Sequence, residues 1–187
     1  MTEPFDEPLD HALIAQIERV GVAELAERVT DASRAIGVSF GGDRPFHVDP
    51  VPRLFGADEW ELLEVGLIQR VLALEAFVAD VYGDQRIVEA GVVPGRVIDT
   101  CDHFDPLVAE LPAPPVRIGV AGLDVVRDEN GVLCVLEDNL RTPSGLGYMR
   151  AARDSVAPAF PEFAPRPLDD ALPRLEGESV VLLSDGP

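Results

Sequence analysis

The dipeptide Asn130-Gly131, set between two apolar runs, constrains this chain more than any other feature. It is the strongest short-range hairpin signal, because both central positions of a type I′ turn need φ > 0. The flanking runs, Arg117–Val126 and Val132–Leu140, then read as two antiparallel strands. With Asn130-Gly131 as a two-residue turn, counting back places Asp124 opposite Glu137. A four-residue loop, Asp128–Gly131, leaves the two diagonal but on one face, because strand side chains alternate with period two. Only a three-residue loop would separate them. Asn139 lies two residues beyond Glu137 and shares its face, whereas Asp138 points to the opposite one. Arg127 likewise lies on the face away from Asp124 and is read as structural. Cys134, inside the second strand, is read as core.

Directly opposed strand side chains sit about 5 Å apart. Two like charges at that distance repel by roughly 3 kcal/mol at an effective dielectric near 20. A favourable cross-strand pair contributes at most about 1 kcal/mol. An Asp124–Glu137 pair therefore requires a cation, a proton or full solvation. Mg²⁺ favours such oxygens and commonly joins one or two carboxylates to substrate phosphates. Asp124, Glu137 and Asn139 are the candidate metal ligands; the competing reading is a solvated hairpin face with scattered acids.

The order Asp, hairpin, Glu-x-Asn resembles the magnesium-binding strands of ATP-grasp ligases. The longer string from Val135 to Gly145, followed by Tyr148, resembles the circularly permuted ATP-grasp family of bacteria, of the type 2 kind. Asp49-Pro50-Val51-Pro52-Arg53 is similar to that family too. So is Trp60–Tyr82, with Gly66-Leu67-Ile68-Gln69-Arg70 and Ala73-Leu74-Glu75-Ala76-Phe77. The resemblance spans roughly residues 36–187 and matches the N-terminal portion of such proteins. It implies a carboxylate–amine (or carboxylate–thiol) ligase that uses Mg²⁺ and ATP to activate a carboxylate as an acyl phosphate. Arg141, two residues past Asn139, is the candidate catalytic and phosphate-binding cation, since a guanidinium offers a forked donor to phosphate. Ser144, in the turn Thr142–Gly145, is a second cofactor-binding candidate. Arg53 and Arg70 are candidates for holding substrate, with an ordinary surface ion pair as the alternative for Arg70 and turn formation as the first role of Asp49.

All 15 basic residues are arginine. ATP-grasp enzymes typically hold nucleotide phosphates with lysines and a glycine-rich loop, and this sequence has neither. The apolar run Glu178–Ser184 has strand length and stands at the end of the sequence. The expectation is therefore a part of a longer ligase. The alternatives are a non-catalytic binding or assembly module, and one half of a split ligase completed by a second polypeptide. The net charge of −19 disfavours nucleic acid and anionic membrane as partners. Small-molecule carboxylate and amine substrates remain. No apolar run reaches membrane-spanning length, and the acidic N-terminus lacks a signal-peptide pattern, so a cytoplasmic location is expected. Cys101, Asp102, His103 and Asp105 match no zinc spacing. No Walker loop, Rossmann fingerprint or nucleophile elbow occurs.

At 47% hydrophobic, the chain can bury a core. Helical spacing covers 9–36, with a break at Gly21 and an end at Gly37, where left-handed caps are common. Residues 58–82 form the clearest helix, with Leu63, Leu67, Val71, Leu74 and Val78 as its apolar stripe. Asp58 with Glu61 suggests a capping box, and Gly83 fits the position after the end. Short helices are expected at 84–90 and around Met149–Arg153. Phe40, Phe46 and Phe55 are expected to tuck the 38–56 loop inward. The fold class is α+β: a helical N-terminal half on a mostly antiparallel sheet built around the hairpin, as part of an ATP-grasp fold. The expected divisions are a helical segment at 1–37, a partial ATP-grasp domain at 38–160, and a connector with the first strand of a further α/β domain at 161–187.

Overall fold

The computed structural model describes residues 7–39, 44, 46–161, 163 and 167. Phe40, most of the expected 161–187 connector and the run at 178–184 expected to form a strand lie outside the described residues. Among the described residues the architecture is α+β, with seven helices and a two-stranded antiparallel sheet. The helices are α1 (Glu7–Val20), α2 (Val22–Ile36), α3 (Ala57–Val81), α4 (Arg86–Glu89), α5 (Gly95–Asp99), α6 (Pro106–Ala109) and α7 (Leu146–Val156). The strands are β1 (Gly122–Arg127) and β2 (Leu133–Asn139). The chain divides into two compact units: Arg53–Ser144 with the start of α1, and Leu13–Pro52 with Gly145 onward.

The second unit packs α2 against α7 and the 3-10 turn Ala157–Ala159. Leu25 and Val29 are fully covered, alongside buried Ala151, Ala159 and Phe160. Buried polar groups find partners here, as burial demands. The Gln16 amide donates to the Ala159 carbonyl at 3.1 Å, Ser33 Oγ to Phe46 O at 3.1 Å, and Ser155 Oγ to Ala151 O at 2.7 Å. The Phe46 ring lies 5.2 Å from that of Tyr148. Gly37 ends α2 at φ 77°, the left-handed cap expected of it. Asp49 accepts from Val51 N at 2.9 Å and so forms the local turn its sequence suggests.

The first unit is organised by α3. Leu63, Leu67, Val71, Leu74 and Val78 form its half-buried stripe, while Leu62, Val65, Ile68 and Leu72 are exposed. Asp58 does not cap this helix. Gly56 stands at its N-cap and makes no side-chain bond, so Asp58 falls inside the first turn. Gly83 does follow the helix end, for a steric reason: a Cβ there would lie 2.9 Å from the Ala79 carbonyl oxygen.

Two carboxylates of α3 organise what comes after it. Asp80 accepts from the backbone N–H groups of Arg86 and Ile87 at 3.0 and 2.9 Å, which starts α4. Glu75 accepts from Arg117 N at 3.0 Å and Ile118 N at 2.7 Å. That grip corrects the expected start of the first strand. Residues 117 and 118 give their N–H groups to a helix carboxylate rather than to a ladder, and β1 begins only at Gly122.

Candidate functional site: the bulged hairpin

The turn is built by one side chain. Asp128 Oδ1 accepts from Asn130 N at 2.9 Å and Val132 N at 2.8 Å. Gly131 N donates to Asp128 O at 3.0 Å, Asp128 N donates to Val132 O at 2.9 Å, and Gly131 sits at φ 81°. These bonds define a three-residue loop, Glu129–Gly131, whose last residue is left-handed. The backbone bonds hold the Asp128 carboxyl below its ordinary pKa, with Val132 N the larger cause.

A three-residue loop sets Arg127 opposite Leu133, Val126 opposite Cys134 and Val125 opposite Val135. Continued straight, that register would place Asp124 opposite Leu136 and turn Glu137 to the other face. The ladder does not continue straight. An irregularity between Asp124 and Val125 leaves Leu136 without a partner, and Asp124 then pairs with Glu137, Leu123 with Asp138 and Gly122 with Asn139. One extra residue on β2 is a β-bulge, and it reverses the parity of every residue beyond it.

Asp124, Glu137 and Asn139 therefore share one face. Neither carboxylate has a hydrogen bond or ion pair among the described residues, and both are exposed. Cys134 lies on the same side and is an exposed free thiol, not core. The three-residue register turns it outward, and no second layer covers that side among the described residues.

The opposite face is tied to α3. Arg70 Nε and Nη2 each lie 2.7 Å from an oxygen of Asp138, a bidentate pair that holds the Asp138 carboxyl below the usual range. Arg127 Nη1 lies 2.5 Å from Glu59 and 2.9 Å from the Gly131 carbonyl, with its guanidinium 5.6 Å from the Phe55 ring centre. Between these two ties runs an open apolar groove lined by Leu62, Leu67, Leu133 and Val135. The structural reading of Arg127 and the inward direction of Asp138 are both seen. Sequence reasoning missed their partners, Glu59 and Arg70; the only signal was that Asp138 alternates with Glu137.

β2 stops at Asn139, so strand alternation does not carry on to Arg141. Arg141, Ser144 and Arg53 are exposed, and neither arginine has an ion pair among the described residues. Arg70 is committed to Asp138 through Nε and Nη2, as in the surface-pair alternative. Pro143 packs over Gly122, where a Cβ would meet the Pro143 Cβ at 2.9 Å. Asp105 caps α6 through Leu107 N at 2.9 Å.

No group of three or more His, Cys, Asp or Glu side chains able to hold a metal ion occurs among the described residues. Two opposed carboxylates and one amide fit Mg²⁺ in the form that shares its coordination with phosphate oxygens, since that ion commonly takes few protein ligands.

The sequence that builds this unit has relatives among known proteins. Residues 52–186 match the family described as circularly permuted ATP-grasp type 2, and the chain belongs to that family. An uncharacterized protein of Mycobacterium leprae is 44% identical over 156 residues, covering 80% of this chain and 28% of that protein. A protein of Frankia casuarinae named "Putative glutamate--cysteine ligase 2-2" is 38% identical over 186 residues, covering 93% of this chain and 22% of that protein. A Synechocystis protein described as uncharacterized is 40% identical over 135 residues, or 68% of this chain and 28% of its own length. The chain thus spans less than a third of the curated relatives it matches. No helix among the described residues is long and apolar enough to cross a membrane.

Proposed function

We propose that this chain provides the metal-binding strand pair of an ATP-dependent carboxylate–amine (or carboxylate–thiol) ligase. The observation that carries the reading is the pairing of Asp124 with Glu137 on an open face without a protein cation between them. Family membership and the ligase name of the Frankia relative support it. Asp124, Glu137 and Asn139 would hold Mg²⁺, which when bound neutralises phosphate charge. The substrate carboxylate would attack the γ-phosphorus of ATP with loss of ADP. The amine would then displace phosphate from the acyl phosphate, losing a proton as the new bond forms. Arg141 and Ser144 would contact phosphate oxygens, and Arg53 the substrate carboxylate. Positioning and charge neutralisation do most of what phosphoryl transfer needs. The reaction belongs in the cytoplasm, where ATP is available.

A second reading has one specific observation behind it: the chain contains no lysine. Cations for the phosphates would then come from a second polypeptide or from further sequence, and the strand pair alone would be a cation-binding module.

The test is titration of the chain with Mn²⁺, as a paramagnetic substitute for Mg²⁺, with and without ATP. Saturable Mn²⁺ binding that Glu137→Gln weakens by about tenfold or more is expected, in line with the effect of losing a metal-site interaction. Enhanced ATP binding in the presence of the metal supports the enzyme; metal binding without nucleotide supports the module. Unchanged Mn²⁺ affinity in Glu137→Gln removes the metal assignment.

A further inference from the structure

We infer that the Arg70–Asp138 pair is a register lock, with both members acting as positioning residues for Glu137. The inference rests on the proposed role of Asp124 and Glu137 only for its functional consequence; the lock itself is a property of the hairpin.

The hairpin has two registers available beyond Val125. In the observed one, Leu136 is the bulge, Asp138 faces α3 and Glu137 faces outward beside Asp124. In the unbulged one, Asp124 would meet Leu136, Leu123 would meet Glu137, and Glu137 would take the place of Asp138 on the helix side. A one-residue slip moves every side chain beyond it to the other face. Both registers offer Arg70 a carboxylate, so pairing with Arg70 as such does not decide between them. The identity of the partner does. When Asp138 holds Arg70 in both arms of its fork, at 2.7 Å each, Glu137 is left for the open face. Without Asp138, Arg70 would draw Glu137 inward and remove it from Asp124.

Packing is a weak competitor for this choice. The groove between α3 and the hairpin is open, and Leu136 itself is 71% exposed. The turn is no help either, since its three-residue loop favours the unbulged register. Asp138 is the more sheltered end of the pair, with 18% of its side chain exposed against 46% for Arg70. The charge-assisted, bidentate bond fills that position with Asp138 and so leaves Glu137 on the open face.

The experiment is to record backbone cross-strand contacts by nuclear magnetic resonance in the full chain and in Asp138→Asn, Arg70→Met and the charge swap Arg70→Asp with Asp138→Arg. In the unaltered chain, Asp124 contacts Glu137. In Asp138→Asn, contacts from Asp124 to Leu136 should appear, and the Asp124–Glu137 contacts should fall by about tenfold, as expected for loss of a charged hydrogen-bonded pair. Arg70→Met should shift less, because it removes the attraction for Glu137 as well. The swap should restore the Asp124–Glu137 contacts, and it also decides the matter if a single variant fails to fold. Retention of the original contacts in Asp138→Asn, or a folded swap without them, overturns the lock. Mn²⁺ titration of the same proteins separates the two readings. A register shift in a chain whose unaltered form binds no Mn²⁺ keeps the lock and ends the metal assignment. Mn²⁺ binding with an unchanged register in Asp138→Asn does the reverse.

Discussion

Asp124 and Glu137 face each other across a hairpin whose loop has the length that should separate them. The three-residue turn sets one parity near the loop, and the bulge at Leu136 sets the other near the strand ends. Two irregularities that cancel reproduce the pairing that a regular two-residue turn would have made. The face carrying Asp124, Glu137 and Asn139 is therefore a product of the bulge, and the bulge is held by what Asp138 grips on the opposite side.

Deleting Leu136 should leave this pairing intact. The deletion removes the unpartnered residue, so Val135 opposite Val125 is followed directly by Glu137 opposite Asp124. Leu136 is largely exposed and its loss forfeits little packing. Cross-strand contacts between Asp124 and Glu137 should persist, with Mn²⁺ affinity retained. Loss of those contacts in a folded deletion variant would show that the bulge does more than correct parity.

Gly131→Ala should destabilise the hairpin. Gly131 sits at φ 81°, where a side chain costs roughly 1–2 kcal/mol. Denaturant unfolding should show a lower midpoint at unchanged slope. An equal midpoint would mean that the loop readily adopts another turn.

The hairpin's ends should weaken at low pH. Asp138 and Asp128 both titrate below the ordinary value of 3.8, Asp138 through its bond to Arg70 and Asp128 through the backbone N–H of Val132. A carboxyl whose folded value is depressed stabilises the fold above its unfolded value, and that contribution is lost as pH falls through the folded value. Both contributions are thus complete above about pH 4 and fade below it. Carboxyl-carbon titration by nuclear magnetic resonance should put both residues under 3.8. Arg70→Met should return Asp138, and not Asp128, toward the ordinary value. Values at or above 3.8 in the unaltered chain would contradict the pairing.

Periodicity revealed α3 and its stripe, because Leu63, Leu67, Val71, Leu74 and Val78 repeat at helical spacing whatever the tertiary context. Asn130-Gly131 located the turn, and Gly37 and Gly21 bounded α2. What stayed hidden depends on single side chains acting at a distance. Glu75 draws residues 117–118 out of the ladder from 42 positions away, and Arg70 reaches Asp138 across 68. The loop length was open because Asp128 can close a three-residue turn with its own carboxylate. Cys134 was misjudged for the same reason: its face depends on a register that composition does not encode. The pairing of Asp124 with Glu137 was anticipated from the two-residue turn, but the geometry that produces it is different.

Gly122→Ala should disturb the far end of the same face. Gly122 pairs with Asn139, and a Cβ at Gly122 would lie 2.9 Å from Pro143 Cβ and 3.8 Å from Asn139 Cβ. The first distance is too short for two carbons, and Pro143 is a ring on a constrained backbone that cannot swing aside as a long side chain can. The turn carrying Thr142, Pro143 and Ser144 must therefore move, or the strand ends must part. Overpacking of this kind typically costs about 1–3 kcal/mol. Denaturant unfolding should show a loss in that range, with amide shift changes concentrated at residues 139–145 and at Gly122 itself. If Asn139 and Ser144 serve the same bound species, affinity for Mn²⁺ with ATP should fall more than affinity for Mn²⁺ alone, because the metal pair Asp124–Glu137 lies further along the ladder. Equal losses for both would place the disturbance at the carboxylates. A stable variant with unshifted amides would show that Pro143 does not press on Gly122 in solution.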